Sequence, residues 1–172
     1  MAFNVVGSLT PYGAPVLLTN ILANSITVTV MDSVKAASGF LALGTAGALV
    51  WGHVIGIGTA KGMPMNTTGV AGSEIGSFVN TFLTASDNQT VAKVTALCDV
   101  SKFTKYSAEL SATIGTTTGS NLIGYRMDLT DEDTLDESSA ITGTAQYATF
   151  GVDPNNSAQA VVNVYESQVF GV

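Results

Sequence analysis

Six carboxylates crowd into ten residues of this chain: Asp128, Asp131, Glu132, Asp133, Asp136 and Glu137. Closely spaced oxygen ligands can hold Ca²⁺, which takes six to eight of them. The calcium candidates are Asp128, Asp131, Asp133 and Asp136. Their spacing does not match an Asp-x-Asp-x-Asp-Gly loop, and no glycine stands where such a loop would turn. A solvated acidic loop is the expectation, since charge runs usually face water. A carboxylate pair for glycoside hydrolysis would want an aromatic platform beside it, and none is adjacent.

The other reactive side chains are few. His53 is the only histidine and follows Trp51-Gly52 in an apolar run. Any Ser-His-Asp triad would have to use it, but no Gly-x-Ser-x-Gly elbow supplies a nucleophile. A hydrogen-bonded structural histidine is expected. Gly52-His53-Val54-Ile55-Gly56-Ile57-Gly58 has the look of a phosphate loop. It lacks the Gly-Lys-Ser/Thr ending and the following helix, and glycines inside strands mark bulges or close backbone approach. Cys98 is the only cysteine, which removes any intrachain disulfide and any cysteine-based metal cluster. It lies in an apolar run, Val94–Cys98, and reads as a buried thiol. These residues imply no cofactor and no catalytic set.

Composition points to assembly. Of 172 residues, 11% are charged and 46% hydrophobic, with 18 glycines and a net charge of −7. Soluble domains average about a quarter charged residues. The apolar content is enough for a core and unlike that of disordered chains. The surface must then be largely Thr, Ser, Asn and Gly. Only six Lys and Arg are present, without a cluster, so nucleic acid and anionic membrane are rejected as partners. The N-terminus lacks the cations of a secretory leader. The apolar run from Phe40 to Ile57 is broken by glycines, Thr45 and His53, short of the roughly 20 apolar residues of a span. Synthesis and folding in a cytoplasm are expected.

Residues 1–31 carry no charge at all; Asp32 and Lys35 are the first. Their apolar members are Phe3, Val5, Val6, Leu9, Tyr12, Val16, Leu17, Leu18, Ile21 and Leu22. Such a segment reads as an arm that adds a strand to, or fills a groove on, a neighbouring protein. The alternative is an ordinary first strand pair of the same domain, because exposed apolar surface needs covering. The two can coexist. The expected organisation is therefore a 1–31 arm and a 32–172 β-rich body.

The elements that must position all this are strands. Ile26, Val28 and Val30 alternate with Thr27 and Thr29, which predicts one half-buried strand with the three apolar residues on one face. Tyr106, Ala108, Leu110, Ala112 and Ile114 repeat the pattern. Further strands are predicted over Ala48–Ile57, Phe78–Thr84, Val91–Leu97, Leu122–Leu129, Ala145–Val152 and Ala160–Tyr165. Asp153-Pro154-Asn155-Asn156 predicts a tight turn. No window sustains a helical period; one short turn is allowed within Asp128–Ala140. Short strands at such spacing predict an all-β sandwich or barrel with little helix.

The second half carries a resemblance. Tyr106-Ser107-Ala108-Glu109-Leu110 leads to Ile114-Gly115-Thr116-Thr117, then Gly124-Tyr125-Arg126-Met127-Asp128, the acidic Asp131–Asp136, Phe150-Gly151-Val152-Asp153-Pro154 and Val162-Asn163-Val164-Tyr165-Glu166. This texture, over roughly residues 90–172, resembles small capsid decoration or cement proteins of tailed bacteriophages. It carries no catalytic or ligand motif. It implies a virion structural protein on the capsid surface, partnered by the major capsid protein and by copies of itself as a trimer. Such a protein is not an enzyme. It would stabilise the shell by binding only its assembled state. A surface-projecting fibre or receptor-binding β module is the alternative, and a hydrolase using the acidic loop the remote one.

Overall fold

A computed structural model describes residues 3–8, 16–60, 80–111, 123–136 and 145–165. The chain is all-β. In order, the strands are β1 (Phe3–Ser8), β2 (Leu17–Ile21), β3 (Thr27–Thr29), β4 (Ser33–Ala37), β5 (Phe40–Leu43), β6 (Gly52–Gly58), β7 (Thr81–Leu83), β8 (Thr95–Asp99), β9 (Thr104–Leu110), β10 (Arg126–Leu129), β11 (Thr134–Asp136), β12 (Tyr147–Asp153) and β13 (Asn156–Val164).

Two sheets share the work. The first runs β1-β9-β11-β10-β12-β13, and β13 returns to pair with β9. Ala108 of β9 has Phe3 on one edge and Ala160 on the other, so β1 lies outside the ring. The ring β9-β11-β10-β12-β13 is thus a five-stranded barrel, which leaves few open edges. The second sheet runs β2-β8-β6-β4-β5. Its ends meet at a parallel bridge between Leu22 and Leu41, where the Ala23 N–H donates to the Leu41 carbonyl at 2.7 Å. A two-stranded ribbon, β3-β7, completes the set.

Each sheet has its own core. Phe3, Tyr106, Met127, Leu129, Leu135, Tyr147 and Val162 fill the first; Leu22, Val34, Leu41, Val54, Ile57, Ala96 and Cys98 fill the second. Strand β6 serves both. Val54 and Ile57 belong to the second core, while Ile55 packs on the first. A bulge between Val54 and Gly56 shifts the register. A strand covered on two faces needs a near-continuous apolar run, which is what Val54–Ile57 supplies.

Several local expectations change. The Ile26–Val30 alternation does not continue as one strand: β3 ends at Thr29, the Asp32 N–H closes a turn on the Thr29 carbonyl at 3.1 Å, and Met31 takes φ 84°. Val28 and Ile26 therefore face the second core and Val30 the first. The helical turn allowed within Asp128–Ala140 is absent from the described part, which is the β10–β11 hairpin; residues 137–144 lie outside it. A π-helical turn forms instead at Asn88–Ala92, overlapping the first two residues of the predicted Val91–Leu97 strand, which begins only at Thr95. The Asn88 side chain holds it by bonding the Leu22 and Val94 carbonyls and the Val94 N–H. The Asp153–Asn156 turn forms as predicted, with the Asn155 N–H on Asp153 Oδ1 at 2.8 Å.

The described parts of the 1–31 segment, residues 3–8 and 16–31, contribute a strand to each of the two sheets. β1 pairs with β9 and β2 with β8. The expected boundary at 31/32 falls inside the turn that joins β3 to β4.

Candidate functional site

The row Ser33–His53–Asp99 crosses β4, β6 and β8 at matched register. Paired residues on adjacent strands place their side chains on one face. Here that face meets the first barrel. The Tyr147 hydroxyl lies 2.9 Å from His53 Nε2 and donates to Ser33 Oγ at 3.1 Å. The Tyr106 hydroxyl donates to Asp99 Oδ2 at 3.0 Å, and the Ser101 N–H caps Asp99 Oδ1 at 2.9 Å. Phe3 closes the cluster, with its ring 4.8 Å from that of His53, while His53 and Tyr106 approach to 4.0 Å. Phe3, His53, Tyr106 and Tyr147 are fully buried.

The hydrogen bonds assign the tautomer. His53 Nδ1 has no partner. A buried N–H left unpaired is worse than an unpaired acceptor lone pair, so the proton sits on Nε2 and points at Tyr147. The chain of donors then runs His53 to Tyr147 to Ser33. Burial alone lowers the His53 pKa to about 3, so the ring is neutral at physiological pH. Burial, followed by the Asp99 charge, pushes the Tyr106 hydroxyl up; burial does the same at Tyr147. Nothing here is exposed to a substrate. The arrangement joins two sheets.

Gln146, also fully buried, makes a second joint. Its Oε1 accepts from the Leu129 N–H at 2.8 Å, and its Nε2 donates to the carbonyls of Thr45 at 3.0 Å and Ala48 at 2.5 Å. It ties the β10–β12 region to the β5–β6 connection with every amide position used. The sequence reading passed over Gln146, Asp99, Tyr106 and Tyr147 as site residues. A polar residue preceding an apolar strand, as in Ala145-Gln146-Tyr147, was the only available sign.

The acidic candidates are dispersed. Asp128 and Asp136 oppose each other across β10–β11, and Asp128 Oδ1 accepts the Gln146 N–H at 3.1 Å. Asp131 and Asp133 sit on the connecting turn, where the Asp133 N–H reaches Asp131 Oδ1 at 3.3 Å. Among the described residues no group of three or more His, Cys, Asp or Glu is arranged to hold a metal ion. The calcium reading of Asp128, Asp131, Asp133 and Asp136 thus gains no geometry. Burial raises the Asp128 and Asp133 pKa values. Cys98 is buried in the second core, and burial pushes its thiol up, away from the reactive thiolate. Residues 52–58 form strand β6, paired with β4 and β8, rather than a loop leading into a helix. A Cβ on Gly52 would fall 2.6 Å from the Asp99 carbonyl, so close backbone approach explains that glycine.

The proposed partner-contact residues separate sharply. Phe3 and Leu22 are fully buried within their own chain, in different cores, and so cannot contact a partner. The cores of this chain cover them because buried apolar area stabilises the fold directly. Val5 and Val6 lie on β1, whose backbone pairs with β9. Leu9 and Tyr12 lie outside the described residues. Ile21 is partly buried. Val16, Leu17 and Leu18 remain, at 52%, 44% and 48% exposure.

Leu17 and Leu18 are adjacent on a strand, so they point to opposite faces. Both faces of β2 are therefore uncovered at this end. The Val100 N–H donates to the Val16 carbonyl at 2.8 Å, and Leu18 pairs with Cys98. By alternation, the backbone groups of Leu17 and Thr19 point away from β8. β5 bridges that edge only past the end of β2, at Leu22–Ala23, and no other described strand pairs alongside Leu17–Thr19. No charge or proline interrupts β2 to blunt it.

Comparison with known proteins gives no match among family models, curated proteins or solved structures.

Proposed function

We propose that this chain is a virion structural protein, a capsid decoration or cement subunit that binds at capsomer junctions and strengthens the shell. It acts from the capsid surface, with the major capsid protein and its own copies, as a trimer, for partners. It works by binding and not by catalysis. The observation that carries the reading is the open start of the β2 edge, with Leu17 and Leu18 exposed on an uncharged strand and Val16 exposed just before it. Such an edge is suited to strand addition, in which main-chain hydrogen bonds give affinity and alternate side chains give specificity. The low charge and polar, uncharged surface suit a permanent interface. The resemblance of residues 90–172 to phage decoration proteins supplies the shell as the partner.

The experiment is the mass of the purified protein in solution, alone and with capsid shells that lack it. A trimer, with saturable shell binding and raised heat resistance of the shell, supports the proposal. A monodisperse monomer that ignores shells overturns it.

A further inference from the structure

The β10–β11 hairpin, at its acidic tip, seats on the turn that joins β3 to β4. The Ser33 N–H donates to the Glu132 carbonyl at 2.7 Å, the bond that ties the second sheet to the tip of the hairpin. Asp32 stands one residue away, 5% exposed, with Oδ2 accepting the Thr29 N–H at 2.7 Å. The charges around it are all of one sign. Asp131, Glu132 and Asp133 face it from the hairpin. From β6, which holds the Asp32 carbonyl through the Val54 N–H, the titratable neighbour is neutral His53. From β7 the contact is a hydroxyl, Thr81 on Thr29. The cation of β4, Lys35, bonds the Thr45 hydroxyl at 2.7 Å. Arg126, on β10, stacks on Tyr165 with its guanidinium 3.8 Å from the ring centroid.

We propose that this seat is an acid-tightened latch: protonation of Asp32 holds the β10–β11 hairpin against the β3–β4 turn, and ionisation loosens it. Geometry carries the inference. A buried carboxylate facing three more at the join of two sheets repels across that join, and among the described residues no cation is placed between them. Like charges disfavour the ionised form, as burial does. Both act here: burial first, then the three hairpin acids, lift Asp32 from 3.8 to about 6 against the opposing Thr29 hydrogen bond. The raised value fixes the sign. The contribution to stability is present below 3.8 and is lost as pH rises through about 6. A shell-bound subunit would then have a stiffer joint in a mildly acidic medium than in a neutral one.

Because His53 titrates with the opposite sign in the same range, the melting temperature of the whole protein mixes the two. The test must be local. Amide exchange at Ser33, corrected for intrinsic rate, reads the latch bond itself. In the wild type, protection is expected to fall by up to about tenfold between pH 5 and 7.5. Asp32→Asn keeps an acceptor for Thr29 and should hold protection constant across that range. In the hairpin variant D131N/E132Q/D133N, the Asp32 carboxyl ¹³C titration midpoint should drop while staying above 3.8. Flat wild-type protection, an unchanged slope in Asp32→Asn, or an unmoved midpoint in the hairpin variant would each overturn the latch. The hairpin variant decides the matter if Asp32→Asn does not fold.

Discussion

Tyr147 and His53 meet hydroxyl to imidazole at 2.9 Å, one from the barrel of β9–β13 and one from the neighbouring sheet. Through this contact and Ser33, two cores that share no buried residue are hydrogen-bonded to each other. The pair is too deep to meet a ligand, so its effect is on folding and on the relative placement of the two sheets.

Tyr147→Phe keeps the ring and removes the hydroxyl. It leaves the His53 Nε2–H and Ser33 Oγ short of a partner in a buried site. The loss should be about 1–3 kcal/mol, or very roughly 2–12 °C in Tm for a chain of this length. Urea and thermal melts of the variant measure it. An unchanged stability would mean that the joint does not depend on this bond.

His53 should contribute a loss of stability in acid, opposite in sign to the contribution of Asp32. Its folded pKa is lowered from 6.5 to about 3, so the unfolded chain binds the extra proton throughout that interval. The stabilisation is complete above 6.5 and drains as pH falls toward 3. The slope from this residue approaches about 1.4 kcal/mol per pH unit in mid-interval. Urea melts from pH 3 to 7 on wild type and His53→Gln check it through their difference, in which the opposite contribution of Asp32 cancels: wild type should lose stability relative to the variant as pH falls. Nitrogen chemical shifts of His53 at pH 7 should report a neutral ring protonated at Nε2.

Gln146→Leu should be among the most damaging single changes. It strands the buried Leu129 N–H, removes the Gln146 donor from the half-buried Ala48 carbonyl, and leaves the exposed Thr45 carbonyl only the Ala48 N–H. A buried orphan costs about 1–3 kcal/mol, so a loss of about 2 kcal/mol or more is expected. Gln146→Glu turns a carboxylate oxygen onto the same two carbonyls in a buried site, and at neutral pH should cost at least as much as Gln146→Leu. Denaturant midpoints order the three proteins.

Strand character was legible wherever β-branched and aromatic residues alternated, as in Tyr106–Leu110, or where a turn signal was strong, as in Asp153–Asn156. The β4–β5 hairpin was missed because its turn is only Ser38-Gly39, both at positive φ, flanked by residues of mixed polarity. The two-core organisation was illegible for a different reason. Chain order alternates between sheets: β1 belongs with β9–β13, and β2 with β8. An uncharged segment pattern looks the same whether its apolar side chains are covered by their own chain or by another. Only coordinates separate buried Phe3 and Leu22 from exposed Leu17 and Leu18. The Tyr147–His53 contact spans 94 residues, and no local spacing encodes it.

The open edge of β2 bears directly on the proposed shell binding. Leu17→Lys with Leu18→Lys places a cation on each face of the strand without touching either core. The fold should survive, shown by an unchanged melting temperature within about 2 °C, since exposed substitutions usually stay within about 0.5 kcal/mol. The measurement is saturable binding of this double variant to shells lacking the protein, beside wild type. If β2 docks on the shell, affinity falls by roughly 30-fold or more, as for loss of a hot spot of about 2 kcal/mol or above. Binding equal to wild type from a folded double variant would contradict the role given to this edge.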